Sequence, residues 1–156
     1  MDWPVVIAIG AALTLAVIGG LMTPIGSWYA ALRKPRWNPP NWVFGPAWGI
    51  ILSLWSWAAV LAWRGAHTSG AQANVAILFG VNALFHALWS PLFFKLRRPD
   101  LALIEVVFLW TSLLILLIDI RQYSPLASWL IVPYFVWVSF AACLNATIVR
   151  RNPAGR

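Results

Sequence analysis

The stretch WNPPNWVFGPAW, residues 37–48, lies between two apolar segments and holds three tryptophans, three prolines and two asparagines. The Pro39-Pro40 pair fixes two φ angles, removes two backbone donors and keeps Asn38 out of the helical region. We therefore expect a stiff, shaped connector between two helices. The alternative is a plain interfacial belt, because tryptophan is enriched where a membrane protein meets the lipid headgroups.

The segments on either side of this connector, like most of the chain, are apolar. The 156 residues are 62% hydrophobic and 10% charged, with a mean hydropathy of +0.78, which is typical of an integral membrane protein. A helix of about 20 apolar residues crosses a ~30 Å hydrocarbon core. The sequence predicts an all-α fold, with residues 1–156 forming one bundle of five transmembrane helices. The expected spans are 5–22, 47–63, 75–94, 101–118 and 126–149, the first being a permanent span and not a signal peptide.

Basic residues are distributed unevenly over the connecting segments. The N-terminus and the second and fourth loops carry only Arg64 and Arg121. The positive-inside rule therefore predicts an outside N-terminus and a cytoplasmic C-terminus. The net charge of +7 is thus read as an orientation signal, and no nucleic-acid partner is expected. The first and third loops and the C-terminal tail carry Arg33, Lys34, Arg36, Lys95, Arg97, Arg98, Arg150, Arg151 and Arg156.

Ordinary enzyme chemistry finds little support in this sequence. There is no nucleophile–base pair, no phosphate-cradling glycine loop and no repeated metal-ligand spacing. The single cysteine, Cys143, excludes a disulfide framework and a cysteine-based metal site. Glu105 lies about one turn into the fourth span, and we expect it to pair with Arg97 or Arg98. No metal site is predicted.

The third span carries two stripes at helical spacing. A stripe of small residues predicts a close helix contact, which we interpret as a dimer face, with intramolecular packing as the alternative. A second stripe, offset by roughly 100°, is polar and aromatic and is expected to face an interior cavity. The small stripe is Ala76, Gly80, Ala83 and Ala87, and the second is Asn82, His86, Trp89 and Phe93.

Two polar residues of the spans allow more than one interpretation. His86 has no second ligand at metal-binding spacing, so it is either a structural histidine or an axial ligand to haem iron. In the fifth span Trp137, Ala141 and Asn145 share one face beyond Pro133, where a kink is expected. That face could line a flat pocket, or Asn145 could bond the backbone of a neighbouring helix.

The overall composition favours one class of ligand. Twelve tryptophans and eight phenylalanines offer ring faces for stacking, and the basic loops offer partners for carboxylates. This combination suits a large, flat, apolar molecule with anionic tails. The neutral hydrogen-bonding side chains available to it are Asn38, Asn41, Asn82 and Asn145.

These residues resemble the TspO/MBR family, which comprises the tryptophan-rich sensory proteins and the translocator proteins, also called peripheral-type benzodiazepine receptors. The resemblance runs over nearly the whole chain, and its motifs recur in order. They are WYAALRKP at 28–35, the stretch 37–48, WSPLFF at 89–94, SPLA at 124–127 and PYFVW at 133–137, followed by Phe140-Ala141 and Leu144-Asn145.

The resemblance, which is to the bacterial type of member, implies a commonly dimeric five-helix receptor, sensor or translocator in a bacterial inner or outer membrane. Its pocket would bind tetrapyrroles such as protoporphyrin IX and haem, and related flat lipophilic ligands, with no other cofactor required. It also implies two alternatives: light-dependent porphyrin degradation, with Trp48 and Trp137 as the catalytic pair, and a small lipophile transporter. Ligand-binding residues would be Tyr29, Trp37, Asn38, Pro40, Trp42, Phe44, Trp48, Asn82, His86, Trp89, Trp137, Ala141, Leu144 and Asn145.

Four positions depart from the family pattern. The usual glutamine and asparagine of the third span correspond to Asn82 and His86, and a tyrosine common in the second span corresponds to Leu52. Ligand preference is therefore expected to differ from that of other members. Ala146 replaces the aromatic residue of the sterol-recognition stretch, which makes sterol binding a poor expectation.

Overall fold

The computed structural model describes residues 2–153, in which all regular structure is helical. Five long helices are apolar enough to cross a membrane, which confirms the predicted fold class. The helices are α1 (Trp3–Met22), a short α2 (Ser27–Ala31), α3 (Asn41–Gly65), α4 (Ser69–Ser90), α5 (Pro99–Asp119) and α6 (Pro125–Arg151). Arg156, one of the basic residues assigned to the tail, lies outside the described residues.

The prolines determine where several helices begin and end. α3 begins at Asn41, so the second half of the predicted connector is helical, and Pro46 is accommodated inside the second turn. α4 continues through a π-helical turn, Pro91–Lys95, in which the Leu96 amide donates to the Pro91 carbonyl at 2.9 Å. Thr68 and Ser124 accept hydrogen bonds from the first turns of α4 and α6, as N-cap residues do.

The five long helices pack in a ring in the order α1, α3, α6, α5, α4, and α4 returns to α1. Leu113, Leu116, Ile131 and Tyr134 fill the centre and are at most 1% exposed. Large apolar side chains also cover the outer surface, including Ile77 and Trp129. Such an outer surface is expected where lipid is the solvent, because lipid tails are as apolar as these side chains.

The segment after α2 is fastened to the C-terminal end of α6. The Arg33 amide donates to Asn152 Oδ1 at 3.0 Å, and Asn152 Nδ2 donates to the Arg33 carbonyl at 3.2 Å. Arg151 Nη1 donates to the Lys34 carbonyl at 3.2 Å. These bonds hold the first loop across one end of the bundle, next to the cavity described below.

Candidate functional site

A cavity of about 410 Å³ lies inside the bundle, in the half that holds the C-terminal ends of α1 and α6 and the N-terminal end of α3. Pockets for small molecules usually have volumes of roughly 300–1,000 Å³ and mainly apolar walls with few polar groups. The predicted ligand-binding residues on its walls are Tyr29, Phe44, Trp48, His86, Trp89, Trp137, Ala141, Leu144 and Asn145.

Trp48 and Trp137 are adjacent on the cavity wall. Their ring centroids are 6.2 Å apart and the rings are nearly perpendicular, at 83°. Phe44 meets Trp137 edge to face at 5.9 Å, which is a favoured arrangement for aromatic pairs. The two indoles assigned to the catalytic role are therefore brought together by α3 and α6, although they are 89 positions apart in the chain.

His86 lies between Trp48 and the buried phenol of Tyr134. Its Nδ1 is 2.6 Å from the Tyr134 hydroxyl, and its ring centroid is 4.7 Å from that of Trp48. Tyr134 is only 1% exposed. One ring nitrogen of His86 is thus engaged inside the bundle while the residue itself lines the cavity. The sequence analysis did not single out the phenol of Tyr134, although it lies in the PYFVW motif.

Asn82 is placed away from the cavity, although it shares a helix face with His86. It is completely buried, accepts a hydrogen bond from Trp55 Nε1 at 2.9 Å and donates one to Ser112 Oγ at 3.1 Å. Its amide therefore links α3, α4 and α5 in the protein interior. Asn82 shares the face that the helical periodicity indicates, but it lies about one turn before His86, the first α4 residue on the cavity wall.

The other predicted residues outside the cavity wall belong to the first connector. Trp42 is 75% exposed, and Asn38 Nδ2 donates to the carbonyl of Pro39. Pro40 precedes α3 and is exposed. Trp37 contacts the cavity only indirectly, since its ring packs edge to face on Phe140 at 5.7 Å and Phe140 lines the wall.

Tyr29 closes the cavity at the first-loop end. It is 5% exposed and packs on Phe94 at 5.3 Å. Lys34 Nζ donates to the Tyr29 carbonyl at 2.5 Å and lies 4.3 Å from the centre of its ring. Burial raises the pKa of the Tyr29 phenol above its usual value and lowers the pKa of the Lys34 ammonium, because removal from water disfavours both charged forms.

Asn145 satisfies both of the interpretations that the sequence left open. It lines the cavity, and its side-chain amide also bridges the first turn of α5. With the amide oriented to match its neighbours, its nitrogen donates to the Pro99 carbonyl at 3.0 Å and its oxygen accepts from the Leu103 amide at 3.1 Å. A ligand that competes for this amide would therefore have to loosen the start of α5.

Glu105 does not pair with Arg97 or Arg98, contrary to the sequence-based expectation. Arg98 instead pairs with Asp100 at 2.6 Å, at the beginning of α5. Glu105 is 6% exposed, and neither carboxyl oxygen has a hydrogen-bond partner among the described residues; the same is true of Trp89 Nε1. Trp89 follows Asn82 by seven residues on α4, and Glu105 precedes Ser112 by seven residues on the antiparallel α5. Because Asn82 and Ser112 are hydrogen-bonded to each other, the Trp89 indole and the Glu105 carboxyl lie at the same depth in the bundle.

Glycines contribute to the cavity in a way that the sequence analysis did not identify. Gly19 and Gly20 of α1 and Gly45 and Gly49 of α3 all line it, and a Cβ at any of them would meet no atom within 4 Å. The absence of side chains here therefore opens space between α1 and α3. The i, i+4 spacing of Gly45 and Gly49 was the available signal.

The stripe of small residues on α4 lines a second, apolar groove of about 400 Å³ beside α1. Ala76, Gly80 and Ala83 face the groove, whose opposite wall includes Trp3 and Ile7. Ala87 lies outside it. The small residues therefore border open space between α4 and α1, since a Cβ at Gly80 would meet no atom within 4 Å. The use of the stripe as a dimer face stays a prediction.

Comparison with known proteins agrees with the architecture and with the motifs. Residues 7–151 match the TspO/MBR family. The chain is 36% identical to a tryptophan-rich protein TspO from Chlorobaculum tepidum over 94% of both chains. It is 34% identical to a tryptophan-rich sensory protein from Cereibacter sphaeroides over 97% of this chain and 94% of that one. It is also 36% identical to the human translocator protein, over 83% of this chain and 77% of the relative. A match over most of the length at this identity identifies the chain as a multi-pass membrane protein of the TspO/MBR family.

Proposed function

We propose that the protein is a membrane receptor, a sensor or translocator, that binds tetrapyrroles or similar flat lipophilic molecules inside the helix bundle. The observation that carries the proposal is the apolar cavity with Trp48, Trp137 and Trp89 on its walls. Indole faces bind extended π systems through burial and offset or edge contacts. The relatives named above are called sensory and translocator proteins, which agrees with a ligand-responsive role.

The polar groups of the cavity supply the remaining selectivity. The hydrogen-bonding side chains on the wall include Asn145 and His86, and Tyr29 with Lys34 lies at its first-loop end; Thr23, Asn41 and Ser90 also line the wall. An ammonium at this end can meet a carboxylate of the ligand when the macrocycle lies among the indoles. A porphyrin with two propionates fits this division between an apolar interior and a basic end.

A second candidate is a light-dependent porphyrin-degrading activity, and it is favoured by the contact between Trp48 and Trp137. An excited porphyrin beside an oxidisable indole can exchange an electron with it, or generate reactive oxygen that attacks the macrocycle. The protein would contribute proximity and the exclusion of water. Acid–base groups are not needed for that role.

Titration in the dark, with tryptophan fluorescence as the signal, tests the first candidate. Protoporphyrin IX should quench the wild-type protein saturably, and the variant Trp48→Phe/Trp137→Phe should bind more weakly. Trp129→Phe is the matched control, since Trp129 is 72% exposed on the outer surface. Equal affinities in all three proteins would refute binding in the cavity. Illumination of the complexes then tests the second candidate, which requires porphyrin loss in wild type and not in the double variant.

The uneven distribution of basic residues supports a proposal on membrane orientation, and the groove beside α4 supports one on dimer formation. We propose an outside N-terminus and a cytoplasmic C-terminus, because the first loop and the basic end of α6 lie at the same end of the bundle. We also propose a homodimer that uses the α4 groove. Cysteine labelling from each side of the membrane tests the orientation, and loss of the dimer in Gly80→Leu tests the interface.

A further inference from the structure

We propose that His86 is an axial ligand to the metal of a metalloporphyrin in the cavity, through Nε2. The inference rests on the proposed tetrapyrrole-binding function and extends it from the macrocycle to its metal. It predicts that the protein distinguishes metallated porphyrins from the metal-free form.

The orientation of the imidazole ring is fixed on two sides. Nδ1 is 2.6 Å from the hydroxyl of Tyr134, which is almost completely buried. The indole of Trp48 meets the ring edge to face at 84°, with centroids 4.7 Å apart. Histidines that bind metal almost always use the second ring nitrogen in a hydrogen bond that sets tautomer and direction. In the tautomer that ligation through Nε2 requires, Nδ1–H donates to the Tyr134 hydroxyl oxygen, which is the acceptor in that position here.

The other nitrogen, Nε2, is the one left for a ligand. No hydrogen bond to Nε2 is formed among the described residues, whereas Nδ1 contacts Tyr134. His86 is half-buried and lines the cavity. An imidazole nitrogen directed at bound porphyrin from one side is the ligation used in globins and peroxidases.

Few other side chains compete for this role. Cys143 is exposed on the outside of α6 and does not line the cavity. His67 is exposed in the connection between α3 and α4. Within the described cavity wall, Tyr29 is the one other side chain of a type that ligates haem, and it lies at the opposite, first-loop end. His86 is therefore the residue of the described wall that would hold the metal.

The test compares binding of haem and of metal-free protoporphyrin IX to the intact protein in detergent micelles. Wild type should show an iron–histidine stretching band in the resonance Raman spectrum of the ferrous complex, and the band should shift when the histidines carry ¹⁵N. His86→Gln should lose the band and lower the affinity for haem by about tenfold or more relative to the affinity of the same variant for metal-free porphyrin, which reports the effect of the substitution on the cavity wall itself. Tyr134→Phe should keep the band at a shifted frequency, because the ring loses its partner. His67→Gln is the matched control and should behave as wild type.

The outcomes separate this inference from the proposed function. If wild type binds both porphyrins but shows no ¹⁵N-sensitive band, or if His86→Gln retains it, axial ligation by His86 is refuted while porphyrin binding stands. If neither porphyrin binds wild type, both proposals fail together. The isotope shift is measured on wild type, so the test does not depend on the folding of a variant.

Discussion

Removing the amide of Asn82 should destabilise the bundle and leave the cavity intact. In Asn82→Ala, Trp55 Nε1 loses its 2.9 Å acceptor and Ser112 Oγ loses its 3.1 Å donor. Ser112 keeps its own bond to the Leu109 carbonyl at 2.8 Å, so the indole N–H is the group left unpaired. A buried unpaired donor costs about 1–3 kcal/mol, whereas an interhelical bond in a membrane bundle averages roughly 0.6 kcal/mol. We expect a loss of about 2 kcal/mol in the free energy of unfolding.

The assay is unfolding by increasing SDS fraction in mixed micelles, followed by circular dichroism. Wild type, Asn82→Ala, Trp55→Phe and the double variant form a double-mutant cycle that isolates the bond between the two side chains. The coupling energy should lie between about 0.6 and 1.7 kcal/mol. Porphyrin affinity should change by less than about twofold in Asn82→Ala, because the residue does not line the cavity.

The opposite pattern would refute this reasoning. A variant Asn82→Ala with unchanged stability but a porphyrin affinity reduced by about tenfold, or 1.4 kcal/mol, would place Asn82 at the ligand. It would also show that the cavity extends further along α4 than the structure indicates. The sequence-based assignment of Asn82 to the pocket would then be restored.

Three further predictions concern packing and charge. Gly65→Ala should lower the free energy of unfolding by about 1–3 kcal/mol, since its Cβ would lie 2.8 Å from the Tyr123 carbonyl carbon and closer to the oxygen. In the control Gly10→Ala the Cβ meets nothing within 4 Å, and the variant should be at least as stable as wild type because alanine favours a helix interior. Glu105→Gln should unfold at the same or a higher SDS fraction than wild type, because it removes a carboxyl group buried without a partner. A decrease of more than about 1 kcal/mol in the free energy of unfolding would instead reveal a partner for the carboxyl. Burial raises the pKa of the Tyr29 phenol in the folded protein. The protonated phenol therefore contributes fully to stability below the pKa of the unfolded chain, near 10.0, and this contribution is lost as the pH rises through the pKa of the folded state. First-loop hydrogen exchange, corrected for its intrinsic pH dependence, should therefore accelerate above pH 10 in wild type and less in Tyr29→Phe, and equal acceleration would contradict the assignment.

The five spans could be predicted from the sequence because length and hydropathy alone determine them. Their limits could not, since a proline is tolerated near a helix start. Pro46 falls six residues into α3, where the sequence analysis had begun the span at Ala47. A proline in the first turns removes one backbone bond, and the preceding Pro40 already favours the helix start.

The face of a side chain could also be predicted, but its depth could not. Asn82, His86 and Trp89 share one face of α4 at helical spacing, yet His86 and Trp89 reach the cavity and Asn82 does not. Seven residues separate Asn82 from Trp89, which is about 10 Å along a helix. Gly19, Gly45 and other small residues on different helices determine which end of the bundle contains the cavity. The position of the cavity therefore cannot be predicted from the pattern of any single helix.

The pairing of charged side chains was the least predictable feature. Arg98 is close in sequence to both Asp100 and Glu105, and the structure pairs it with Asp100 at the exposed start of α5. Solvent favours that pairing, because Asp100 is accessible and Glu105 is inside the bundle. Sequence distance alone does not distinguish the two acids.

The most direct test of the central claim is to locate the porphyrin among the twelve tryptophans. Protein labelled with 5-fluorotryptophan gives one ¹⁹F signal per indole, and each signal is assigned by a Trp→Phe variant. Adding protoporphyrin IX in the dark should shift the signals of Trp48, Trp89 and Trp137, which line the cavity. Trp3, Trp42 and Trp129 are 63–75% exposed on the outer surface and should not move. Shifts confined to those three indoles would mean that the porphyrin binds the outside of the bundle, and the cavity would not be its site.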